Sequence, residues 1–94
     1  MENQQQVQIK ASDSDLKGLY SNAMQVRHTQ EEFVLDFFNL LGTEGVLASR
    51  MIVSPAHLKR ITQALEENMK RYEDQFGVVI ASAAPNQDIG FKPQ

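Results

Sequence analysis

The chain has no cysteine, so no disulfide can staple it. It has no run approaching the ~20 apolar residues that span a bilayer. It has no basic excess: the net charge is −3, with both signs spread along the chain, and this offers no general attraction to DNA or RNA. No basic-then-apolar leader opens it, and a cytoplasmic location is the expectation. The only histidines, His28 and His57, do not lie at metal-ligand spacing with another ligand. There is no glycine-rich phosphate loop, no nucleophile elbow and no dinucleotide fingerprint. Neither a cofactor nor an enzymatic activity is expected.

What remains is one small domain. The chain has 94 residues. A polar, Gln-rich start (1–6) reads as disordered, and 78–94, with Pro85, Asn86, Gly90 and Pro93, reads as a flexible tail. The domain between them, 7–77, has about 70 residues, a size whose single core supplies only a few kcal/mol.

Within that domain Val7-Gln8-Ile9-Lys10 alternates and suggests a short strand. The turn-forming run 11–15 then breaks it, and Gly18 marks a bulge or tight bend. A second strand spans 20–28, a third 32–41 and a fourth 46–53. Ser54-Pro55 supplies a helix N-cap and a first helical residue. Leu58, Ile61, Leu65, Met69, Tyr72 and Phe76 recur at the helical period, so the spacing predicts a helix over 55–76 with Gly77 at its C-cap. Glu66 with Lys70 and Glu67 with Arg71 stand at i,i+4. The expected class is α+β: a four-stranded antiparallel meander, then one long C-terminal helix.

The strand 32–41 is apolar on both faces. Phe33, Leu35, Phe37 and Leu41 point one way; Val34, Phe38 and Leu40 point the other. In the fourth strand Leu47, Met51 and Val53 share one face, and Val46, Ala48, Arg50 and Ile52 share the other. One helix covers only one side of the sheet. Leaving Val34, Phe38 and Leu40 in water would forgo ~1.5–3 kcal/mol each, against a whole stability of ~5–15 kcal/mol. A homo-oligomer, dimer or higher, is therefore expected, with Val34, Phe38, Leu40 and Met51 at the interface. The alternative is that the N-terminal segment or Val78-Val79-Ile80 folds over the second face.

Asp36 interrupts an apolar strand, where an unpaired charge is costly. It is expected to pair with Arg27 or Arg50 on neighbouring strands or to sit at the rim of the interface; the functional alternative is a polar anchor for a bound partner. Arg50, His57, Lys59 and Arg60 gather near the strand-to-helix junction. They read as a solvated basic face or as a contact for an anion or partner at a helix start.

Four blocks carry a resemblance: Tyr20-Ser21-Asn22, His28 to Phe37, Ser49 to Arg60, and Lys70 to Gly77. They are similar to a family of short bacterial and archaeal proteins catalogued as domain of unknown function 3467. The resemblance covers about 7–77 and implies Asn22, Asp36, Arg50, Pro55 and Tyr72 as signature positions. It implies no catalytic residue and no activity.

At fold level, four strands before a long helix look like SecB-type export chaperones and Whirly-type single-strand nucleic-acid binders, which is a weak warrant for function. The expected function is a non-catalytic homo-oligomeric binding protein, chaperone-like or an adaptor, contacting polypeptide partners. The alternative is a single-stranded nucleic-acid-binding oligomer, for which Arg27, Arg50, Lys59, Arg60 and Tyr20 would serve. A membrane partner is not expected.

Overall fold

A computed structural model of the protein describes residues 6–82 and 88–92. The elements run α1 (Asp13–Lys17), β1 (Ala23–His28), β2 (Phe33–Leu41), β3 (Glu44–Val53) and α2 (Pro55–Phe76). The chain is α+β, but the sheet has three strands in the order β1-β2-β3, all antiparallel, rather than four. Among the described residues, no helix is long and apolar enough to cross a membrane.

The expected strand at 7–10 does not form: Val7 and Ile9 are exposed coil. The turn-forming residues after it build a helical turn instead. Ser12 Oγ accepts from Asp15 N at 3.1 Å, and Asp15 Oδ2 accepts from Ser12 N at 3.1 Å. This capping box starts α1, and Gly18 ends it with φ 77°. Four alternating residues offer too little burial to hold a fourth strand at the sheet edge. The expectations for 1–6 and 78–94 fall partly on 1–5, 83–87 and 93–94, which lie outside the described residues.

The β1–β2 ladder runs from Ala23↔Phe38 to His28↔Phe33. Its connection is closed by Thr29 N donating to Glu32 O at 3.0 Å. The β2–β3 turn is Gly42-Thr43, between the paired Leu41 and Glu44. Gly42 has φ 62°, and among the described residues no residue type other than glycine has positive φ. That is the sign pattern of a type II′ hairpin turn, whose twist suits the flanking strands.

Register divides the sheet into two faces. Met24, Val26, Phe33, Leu35, Phe37, Met51 and Val53 share one, the Leu35 face. Gln25, Arg27, Val34, Asp36, Phe38, Leu40, Arg50 and Ile52 share the other, the Asp36 face. The two-sided reading of β2 is therefore correct, but the simple alternation expected for β3 fails at one place. The register shifts between Phe37, which pairs with Ser49, and Phe38, which pairs with Leu47. Ala48 is the extra residue of a β-bulge. Leu47 therefore joins Phe38 on the Asp36 face, and Val46 moves to the opposite one.

The core is small: Leu35 (7% exposed), Phe38 (4%) and Val53 are its buried apolar residues among those described. The helix lies where the spacing predicts it. Ser54 Oγ accepts from His57 N at 3.1 Å, Pro55 opens the first turn, and Gly77 N donates to Glu73 O at 2.9 Å. Gly77 has φ 102°, outside the expected left-handed helical region. No residue of α2 is buried. Leu58 and Ile61 are half-buried, but Leu65 (66% exposed), Met69, Tyr72 and Phe76 (65%) carry the stripe into solvent. Covering these four would add about 1–2 kcal/mol each. A compact chain of this length has a radius of gyration of about 12 Å; here it is 16.8 Å.

Candidate functional site on the Asp36 face

Asp36 stands at the middle of β2, with Gln25 across one ladder and Arg50 across the other. Its exposure is 0%. Arg50 donates from Nε to Oδ1 at 2.6 Å and from Nη2 to Oδ2 at 2.9 Å. This two-pronged grip matches the planar guanidinium to the carboxylate. Arg27, diagonal on β1, places Nη2 3.6 Å from Oδ2. The ion pairs among the described residues all converge on Asp36, while Glu66–Lys70 and Glu67–Arg71 are not among them.

The hydrogen bonds from Arg50 hold the Asp36 carboxyl below its ordinary pKa. Burial opposes this, and the charges of Arg50 and then Arg27 reinforce it. The same contact raises Arg50. Asp36 is thus ionised, and its charge is answered by two cations, which leaves the face about one positive charge in surplus. Gln25 Oε1, on the strand opposite Asp36, is buried without a hydrogen-bond partner.

The tail contributes what the sequence did not reveal. The ring of Phe91 lies 5.3 Å below the Arg50 guanidinium, within cation–π range. It also lies 6.0 Å from the ring of Phe38, tilted by 42°. Among the described residues neither 6–10 nor Val78-Val79-Ile80 provides this cover: Val7, Ile9, Val78 and Ile80 are exposed, and Ile89 and Phe91 approach instead. Between that segment and the β2–β3 hairpin is a cavity of 440 Å³. Phe38, Leu40 and Leu47 line its sheet side, Ile89 and Phe91 its tail side, and Glu44, Asp88 and Lys92 bring charge to it. That Phe91 is the one aromatic residue of 78–94 was the available signal for it.

The other expected residues disperse. Val34, Phe38 and Leu40 lie on the Asp36 face but Met51 lies on the opposite face, so the four do not form one interface. The tail-side cover of Phe38 also removes the strongest reason for placing a partner subunit there. Arg50 is committed to Asp36. His57 Nδ1 meets Arg60 Nη2 at 3.2 Å on the exposed first turns of α2, and Lys59 is exposed. The basic residues are therefore divided between an internal ion pair and a solvated helix face. His28 stacks on Phe33 with centroids 5.1 Å apart. No group of acidic, histidine or cysteine side chains among the described residues could hold a metal ion.

Two of the positions that the resemblance implies have defined surroundings here. Asn22 donates from Nδ2 to Leu40 O at 2.9 Å and accepts at Oδ1 from Leu40 N at 2.8 Å. Its side-chain amide thereby acts as an extra peptide group at the end of the β1–β2 ladder. Tyr72 rests against Phe76, with ring centroids 4.9 Å apart on the exposed stripe.

No curated protein matches this chain, and neither does any solved structure. The family described as Protein of unknown function (DUF3467) matches residues 1–81, which take in β1 to β3, the Asp36–Arg50 pair and α2, and the chain belongs to that family.

Proposed function

We propose that the protein is a non-catalytic, homo-oligomeric binding module that receives an extended polypeptide on its Asp36 face, in a chaperone-like or adaptor role in the cytoplasm. The observation that carries this reading is the seat of Phe91. A short segment of the chain itself lies there, with its aromatic ring against Phe38 and under Arg50. An apolar wall, a cation and an adjoining cavity are what an aromatic residue of another chain would also use. Asp36 supports a binding role over a catalytic one. Its oxygens are held by Arg50 and closed from water, so it is a poor proton acceptor.

The test is a polarisation titration with a labelled peptide carrying the Asp88–Lys92 sequence, alongside suppression of aggregation of an unfolded client. Phe91→Ala should vacate the seat, so the peptide should bind the variant several-fold more tightly than the parent. If neither chain binds the peptide or protects a client, the reading fails.

A second reading, a single-stranded nucleic-acid binder with a Whirly-like arrangement, draws on the surplus cation of Arg27 and Arg50 beside Phe91. The net charge of −3 weighs against it. An oligonucleotide titration decides, since genuine nucleic-acid affinity falls steeply between low and moderate salt.

A further inference from the structure

We propose that two copies of the chain assemble by exchanging helices, the stripe of each α2 lying across the partner's Leu35 face. The inference rests on the homo-oligomeric part of the reading above and deepens it by naming the surfaces.

Each copy has one uncovered helix stripe and one incompletely covered sheet face. On the helix, Leu65, Met69, Tyr72 and Phe76 are exposed. On the sheet, Met24, Val26 and Met51 are exposed around the buried Leu35. A helix with no buried residue draws little from tertiary packing, which is the usual source of helix stability in proteins. Its sequence nonetheless keeps an apolar stripe for all of its turns.

The two surfaces fit in size. The 22 residues of α2 extend about 33 Å. The longer strands, of 9 and 10 residues, extend about 30–34 Å. A helix footprint about 10 Å wide covers about 300 Å² of helix and an equal area of the wider sheet face, so the two reciprocal contacts bury about 600 Å² per copy. The total of about 1,200 Å² reaches the lower end of standard stable interfaces.

A second copy is the occupant because the need is reciprocal. A two-fold assembly covers both helices and both faces at once, with the same contact made twice. It also accounts for the extended shape of the single chain, 55 Å in its longest dimension. The Asp36 face stays open in such a dimer, so peptide binding there is a separate property.

The absence of native cysteine makes the test clean. Met51→Cys chains are mixed in equal amounts with Leu65→Cys chains, and separately with Met69→Cys chains. Each mixture is oxidised and the linked products are identified by mass spectrometry of their peptides, while light scattering gives the mass of the unmodified protein. A dimer with sheet-to-helix links, 51–65 or 51–69, is the expected result. A dimer linked only helix to helix, 65–65 or 69–69, overturns the exchange and leaves the homo-oligomer standing. A dimer with no links at these positions also overturns the exchange. A monomer at tens of micromolar overturns both the exchange and the oligomeric reading, while the peptide titration reports on client binding independently. Met51→Glu and Met69→Glu give a second readout: each should convert the dimer to monomer with unchanged circular dichroism. Loss by Met69→Glu alone would overturn the exchange.

Discussion

Arg50 holds Asp36 across the β2–β3 ladder with two hydrogen bonds, and the two partners differ in their access to water. The carboxylate is closed off, while the guanidinium side chain is 40% exposed. Removing one partner is therefore not equivalent to removing the other. Arg50→Met leaves a buried carboxylate with only the more distant Arg27, and it should destabilise the fold by about 3 kcal/mol, the lower end for a broken buried pair. Asp36→Leu leaves two arginines that can turn to water, so its cost should be smaller. The double variant should recover part of the loss. Urea unfolding of the four proteins closes the cycle, and a purely additive result would deny the coupling.

The pH dependence follows from the direction of the Asp36 shift. Its folded pKa lies below the unfolded value of about 3.8, so the unfolded chain binds the proton more readily. Stability from this group is present in full above the unfolded pKa and is lost as pH falls through the folded one. Thermal unfolding followed from pH 7 to pH 2 should show its contribution flat down to about pH 5 and declining below pH 4. In Arg50→Met the decline should shrink or reverse, because the principal cause of the lowered pKa is gone and burial then favours the protonated carboxyl.

Asn22→Ala removes both bonds to the Leu40 backbone. The ladder end is exposed, so water replaces part of the loss, and a cost of about 1 kcal/mol is expected. The sharper readout is local: amide exchange at Leu40 should accelerate more than exchange at Leu35. Asn22→Asp keeps an acceptor for Leu40 N but loses the donor to Leu40 O, so it should retain part of that protection.

Two hairpin glycines should fail for different reasons. A Cβ at Gly45 would meet Leu40 Cδ2 at 2.7 Å, Asn39 O at 2.9 Å and Leu40 Cα at 3.2 Å. The last two are backbone atoms, so Gly45→Ala must push the strands apart, at about 1–3 kcal/mol. Gly42→Ala meets no atom but is strained at φ 62°, at about 1–2 kcal/mol. Gly42→Asn should be milder than Gly42→Ala, while Gly45→Asn should be worse than Gly45→Ala. Denaturant midpoints of the four variants would show that reversal.

The parts of this structure legible in the sequence are those fixed by local chemistry or by a long period. Ser54, Pro55 and the six-residue stripe define α2 without help from the rest of the chain. The length of β2 and its apolar residues on both faces define the central strand, and a charge inside it required a neighbour such as Arg27 or Arg50. The failures lie where a local pattern had competition or where one residue changed the count. At Val7–Lys10 the alternation was real, but the capping residues that follow closed a helical turn. At Ala48 a bulge reversed the faces of Val46 and Leu47. Phe91 lies 53 positions beyond Phe38, and no periodicity connects residues across such a separation.

That additional residue at Ala48 sets which way the tip of the ribbon is turned. Were Ala48 paired with Phe38 in an unbroken ladder, Leu47 would cross to the Leu35 face, Val46 would stand opposite Leu40, and the connection would lengthen by one residue. The far wall of the cavity therefore depends on one residue being left out of the ladder, which keeps Leu47 beside Phe38 and the turn short.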